Sequence, residues 1–182
     1  MNDYDVVSTI AALEDDAVEQ FLFDCLERWF GRAKLQTSDY TFNLTLPVGY
    51  RVLTPTVWIE AEVSNGGVGQ YFWNRLVDYR PMTADAIDGY ERIGAKAQAQ
   101  AVRDCLRTFA PLKSQCRLIK EQHRGTEGFL KWQDLWDALE FRGDNPLFEY
   151  EMVEKQHRVP WIRANGELFV FRLGAARTSR WT

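Results

Sequence analysis

IEAEVSNGGVGQYFWN, residues 59–74, reads as two helical segments joined by a sharp corner. Upstream, Pro55 suits the first turn of a short helix over 55–64, where its missing N–H is no loss. Asn65-Gly66-Gly67 then breaks the helix, because glycine and asparagine reach the left-handed backbone values that a corner needs. Helical pattern resumes from Gly67 to Leu76. Gln70 and Asn74 lie four apart, so their amides share a face. Tyr71, Phe72 and Trp73 point in successive directions, so at least one is expected outside the core. Glu60 and Glu62 lie two apart and do not share a face, which weakens a paired acid–base role.

Working outward, the clearest helix precedes this corner. Val18, Phe21, Leu22, Cys25, Leu26, Trp29 and Phe30 fall at the i, i+3, i+4, i+7 spacing of an apolar stripe. Asp16 is placed as its N-cap, with Glu19 three residues on as in a capping box. Gly31 is the expected stop. Asp16, Asp24 and Glu27 fall on the opposite, solvent-facing side. Residues 40–46 alternate apolar and polar, which fits a short strand or an extended loop, with Tyr40, Phe42, Leu44 and Leu46 on one side.

Beyond the corner, Pro81 and Thr83 are read as opening the next helix, with Thr83 as N-cap. Residues 95–109 carry a stripe of Ala97, Ala101, Val102, Cys105, Leu106 and Phe109, stopped by Pro111. Residues 127–140 give a further helical face through Phe129, Trp132, Leu135, Trp136 and Leu139. Asn165-Gly166 between WIRA and ELFVF is a strong hairpin signal. The sum is a mainly α, single-domain helical bundle or array over residues 1–182, with a small C-terminal β-hairpin. No repeat, linker or alternating βαβ pattern argues otherwise.

The totals fit that class. A chain of 182 residues suits one domain, and 14% aromatic residues with 7 tryptophans predict a bulky core. No secretory leader and no run of roughly 18 apolar residues is seen, so a cytoplasmic protein that does not enter a membrane is expected. Three cysteines without a CxxC pair fit reduced thiols. Charge is uneven. Residues 1–30 hold eight carboxylates against one arginine, and residues 134–154 hold seven against Arg142. Residues 92–124 hold eight basic residues against two acidic ones. Such polarity either steers association or is neutralised between helices within the fold.

Motifs for catalysis are missing. The two histidines give a single Glu154-x-x-His157 pair, where a di-iron bundle needs two such pairs and further glutamates. There is no G-x-S-x-G elbow, no P-loop and no G-x-G-x-x-G. Cys25 lies within an apolar stripe, as a core thiol does. No catalytic residue, metal site or cofactor is therefore assigned. The densest constellation is the polar corner of Glu60, Glu62, Asn65, Gly66, Gly67, Gln70 and Asn74. It is read either as structural, with amides capping helix ends, or as a binding site.

These residues resemble the signature of the DNA-mimic protein family, close to E-x-E-V-x-N-G-G-x-x-Q-Y-F-x-N. The match runs through Glu60, Glu62, Val63, Asn65, Gly66, Gly67, Gln70, Tyr71, Phe72 and Asn74, then Ile93, Gly94 and Ala95. It covers about residues 55–110. The resemblance implies an α-helical domain, often a homodimer, and in the family's best-known branch surface carboxylates imitate DNA phosphates. A net charge of −4 and a basic middle depart from that branch. Imitation would have to use local rows such as Asp16, Asp24 and Glu27, or the 134–154 cluster. The expectation is a non-enzymatic protein-binding module that presents acidic surface to a basic partner, such as a DNA-binding regulator or a toxin. The alternative is a small-ligand-binding protein or enzyme using the polar corner at residues 60–74. Direct nucleic-acid binding through residues 92–124 is disfavoured by the acidic total.

Overall fold

A computed structural model describes residues 3–31, 40–123 and 125–171. The order is α1 (Asp3–Ala12), α2 (Asp15–Phe30), a 3-10 turn (Tyr40–Thr45), α3 (Val48–Asn74), α4 (Tyr79–Arg92), α5 (Lys96–Phe109), a 3-10 turn (Ala110–Leu112), α6 (Lys113–Gln122), α7 (Gly125–Asp137), a 3-10 turn (Asn145–Phe148), α8 (Tyr150–Val153), a π turn (Glu154–Arg158), α9 (Val159–Ala164) and a last 3-10 turn (Gly166–Phe169). The fold is all-α, with no strand among the described residues. No described helix is long and apolar enough to cross a membrane. The chain forms two compact units, Met1–Arg51 with Glu154–Thr182, and Val52–Val153.

In the first unit, α2 buries Val18, Leu22, Cys25 and Leu26, four of the seven stripe residues, while Phe21 and Phe30 are half-buried and Trp29 is 41% exposed. The helix begins one residue before Asp16. Glu14 occupies the N-cap without a side-chain bond, and Asp15 and Asp16 lie in the first turn, where a carboxylate favours the positive helix end. The expected Asp16–Glu19 capping box is thus corrected, since Glu19 instead pairs with the buried guanidinium of Arg158. Arg163 ties down the end of α1 and the turn after it. It donates to the carbonyls of Ile10 and Leu13 at 2.5 Å each and to Asp15. Gly31 ends α2 with φ 77, as expected.

Residues 40–46 are not extended. Tyr40, Asn43 and Leu46 are the buried positions, a period of three that matches a 3-10 turn, while Leu44 is 48% exposed. Asn43 donates to the Tyr40 hydroxyl and Thr45 to the Phe42 carbonyl, bonds local to the turn. The C-terminal hairpin is also overturned. WIRA closes α9, and GELF forms a 3-10 turn. A two-residue type I′ turn needs positive φ at both central residues. Asn165 has φ −132, and Gly166 is not among the positive-φ glycines.

In the second unit the core is aromatic. Phe72 stacks on Phe109 at 4.0 Å between centroids, and Phe109 meets Trp132 edge-on at 5.8 Å. α4 approaches the earlier helix closely at Gly89, where a Cβ would lie 2.9 Å from the Val52 carbonyl. The same approach lets the Tyr90 hydroxyl reach the Thr56 carbonyl at 3.2 Å and the Glu60 carboxylate at 2.9 Å. Two helix starts differ from expectation. α3 begins at Val48 and carries Pro55 in its interior. α4 begins at Tyr79, so Thr83 is not its N-cap. Its hydroxyl donates to the carbonyls of Tyr79 and Arg80 inside the helix. Cys25, Cys105 and Cys116 are free and buried. Burial pushes all three thiols up, that of Cys116 to about 11.

Candidate functional site

The double-glycine corner is real, and its backbone explains it. Within α3, Gly66 has φ −172 and ψ 21, and Gly67 has φ 78 and ψ 176. The second pair of angles belongs to a region essentially confined to glycine. The bend lets the downstream segment fold its polar face back on the upstream one. Asn74 donates to Glu62 Oε2 at 2.7 Å and Gln70 donates to the same oxygen at 3.3 Å. Arg75 Nε stands 3.9 Å from Glu62 Oε1, and its guanidinium lies over the Trp58 ring. One carboxylate thus gathers three groups from beyond the bend. Gly66 makes room for the staple, since a Cβ there would meet Gln70 Oε1 at 2.2 Å.

The predicted corner residues therefore separate. Glu62, Gly66, Gly67, Gln70 and Asn74 meet in the staple. Glu60 turns the other way, is 4% exposed and is held by Tyr90. Asn65 is exposed and joins no side-chain hydrogen bond among the described residues. Tyr71, Phe72 and Trp73 are all buried, which corrects the expectation that one would leave the core. Their helix is enclosed: Phe109 stacks on Phe72, and Lys120 covers Trp73 at 5.0 Å while donating to its carbonyl at 2.6 Å. Replacing Glu62 with alanine should cost about 1–3 kcal/mol, the usual scale for losing hydrogen bonds to a charged group. Urea unfolding would measure it, and a loss indistinguishable from zero would mean that the staple does not hold the bend.

A cleft of about 470 Å³ opens beside the bend, with Gly67 and Val68 on its wall. The sequence reading missed it. Trp136 and Phe141 meet in it at 75° with centroids 6.0 Å apart, and Phe148 is 48% exposed at its edge. Asp137, Arg142 and Asp144 supply its charge. Asp137 accepts from Gln133 at 2.9 Å. Arg142 is exposed and donates to the Phe141 carbonyl at 3.2 Å. Asp144 heads the 3-10 turn without capping it through its side chain. Burial raises its carboxyl above the ordinary range, outweighing a backbone hydrogen bond and the charge of Arg142. Gly69 makes the wall thin, because a Cβ there would sit 3.0 Å from the Trp136 ring. The carbonyl of Gly69 also accepts the buried Trp132 indole N–H at 2.7 Å.

The acidic residues proposed on α2 lie in the first unit. Asp16 is exposed, while Asp24 and Glu27 are half-buried, and Asp24 accepts from Gln20 at 2.8 Å. Glu154 and His157 fall in the π turn, and no group of three or more metal-ligating side chains occurs among the described residues.

No curated protein and no solved structure matches this chain. A family model described as DMP19-like protein matches residues 44–165. That span holds the bend, the staple and the cleft and exceeds half the chain, so the chain belongs to the DMP19-like protein family.

Proposed function

We propose that this protein is a non-enzymatic binding module that offers a carboxylate-rich surface to a basic protein, such as a DNA-binding regulator or a toxin. The observation that carries this reading is a contrast in how charges are used. Along the second unit, Asp88, Glu91 and Asp104 are paired with Arg92, Arg103 and Arg107. This pairing engages three of the eight basic residues of the 92–124 stretch. By contrast Asp134, Asp137, Glu140, Glu149 and Glu151 are all exposed, and none forms an ion pair with a described residue. A row of unpaired carboxylates repels itself and is best relieved by an external cation-bearing surface. Imitation of DNA phosphates is one form this could take. The staple adds support, since the Glu62 carboxylate is occupied in holding the bend.

The test is capture of partners from the native host, with identification by mass spectrometry. Wild-type protein should retain basic proteins, and retention should fall at least tenfold between about 0.05 M and about 0.5 M salt as screening shortens. Converting Asp134, Glu140 and Glu149 to lysine should abolish it. Capture that ignores both salt and charge reversal would overturn the proposal.

A further inference from the structure

We propose that the cleft beside the double-glycine bend is a recognition pocket for the guanidinium of an arginine side chain on a basic partner protein. The inference rests on the binding-module reading and supplies its anchor point. The volume of about 470 Å³ lies within the range of ligand-sized pockets. Its walls have the two properties that an organic cation seeks. The first is aromatic surface. Phe141 is half-buried and Phe148 is 48% exposed, so their rings reach solvent, while Trp136 is buried and meets Phe141 at 75°. A flat, delocalised cation can lie against such faces, and aromatic rings attract it through their quadrupole.

The second property is a half-buried carboxylate whose hydrogen bonding comes from the backbone alone. Asp144 is half-buried beside these rings, caps no helix through its side chain, and receives no hydrogen bond or ion pair from another described side chain. Burial destabilises its charged form. An incoming cation would relieve that cost. Asp137 also lines the cleft and brings a second negative charge. Arg142 brings the cleft's positive charge, but it is exposed, bound to the Phe141 carbonyl, and not ion-paired with Asp144. Two carboxylates against one arginine leave the cleft anionic.

Guanidinium fits better than ammonium for a physical reason. It is weakly hydrated and planar, so it surrenders less on entering an aromatic corner, and it can meet a carboxylate with two parallel N–H donors. The unpaired carboxylates Asp134, Glu140 and Glu149 surround this stretch of chain with the same sign of charge. They would draw a basic surface in, while the cleft would fix its register.

The test is a two-dimensional NMR titration of the full chain with N-acetyl-arginine amide, with N-acetyl-citrulline amide as the neutral isostere. The amides of Gly67 and Val68 and the indole of Trp136 should shift saturably with arginine amide, with Kd about 1 mM for so small a probe. Citrulline amide should bind at least roughly tenfold more weakly, the loss expected without the charge-assisted contact. Asp144→Asn should weaken arginine amide to a similar extent, while Glu121→Gln, at an exposed position of α6 outside the cleft, should leave it nearly unchanged. No saturable shift at these positions, or equal binding of arginine and citrulline amides, overturns the proposal. The citrulline comparison needs no variant, so a misfolded Asp144→Asn would not blunt it. If arginine amide fails while host capture still falls on reversal of Asp134, Glu140 and Glu149, the pocket is refuted and the surface reading stands. If arginine amide saturates but capture ignores that reversal, the surface reading fails instead.

Discussion

Truncating Trp132 to alanine should destabilise the second unit by about 3–5 kcal/mol, the scale for emptying a large aromatic site in a packed core. Trp132 is wholly buried and sits edge-on to Phe109 while facing Trp136 at 5.8 Å. Its indole N–H also satisfies the carbonyl of Gly69, in the first turn after the bend. Packing and hydrogen bonding can be separated with Trp132→Phe. That change keeps an aromatic ring but removes the donor, and it should cost about 1–3 kcal/mol, chiefly for leaving the Gly69 carbonyl without this partner and for a small void. Guanidinium unfolding followed by circular dichroism would report both. If alanine lost less than about 1 kcal/mol, Trp132 would not be the wedge that the core geometry makes it.

The second large effect should come from Gly67→Ala. Nothing lies within 4 Å of a Cβ built on Gly67, so space does not limit the substitution. The backbone does. At φ 78 and ψ 176 an L side chain collides with its own chain, and such conformations cost about 1–3 kcal/mol. The strain can be relieved only by opening the bend, and an open bend carries Gln70 and Asn74 away from Glu62. Gly66 gives the internal comparison. Its φ of −172 lies outside the left-handed region, and the nearest obstacle to a Cβ is the movable end of Gln70. Gly66→Ala should therefore lose less than Gly67→Ala in the same unfolding experiment. The reverse order would show that side-chain crowding, not backbone angle, limits this corner.

Which parts of this were legible in the sequence follows from the range of the forces involved. The α2 stripe and the Gly31 stop are local, and periodicity with one glycine suffices to place them. Gln70 and Asn74 were correctly placed on one face because four residues along a helix make one turn. The partner of that face was harder. Glu62 lies across a bend whose angle depends on Gly67, and no spacing rule carries through such a corner. Glu19 shows the same limit. Three residues from Asp16, it looked like half of a capping box, but Arg158, far along the chain, claimed it. Asn165-Gly166 shows how a turn signal fails when the segment before it is held in a helix and neither residue takes the positive φ that the turn needs. The cleft was invisible because Gly67, Trp136 and Asp144 come together only in the folded unit. Its trace in the sequence is the acidic 134–154 cluster with Trp136, Phe141 and Phe148 interleaved, of which only Trp136 belongs to a helical stripe.

The three buried thiols have a practical consequence. Alkylating and oxidising reagents attack the thiolate, which burial suppresses at Cys25, Cys105 and Cys116 alike. Modification then has to wait for the surrounding structure to open, so its rate becomes a clock for that opening. Cys25 belongs to the first unit, and Cys105 and Cys116 to the second. The native chain thus carries a separate built-in timer for the breathing of each unit, readable by mass spectrometry without engineering in a probe residue.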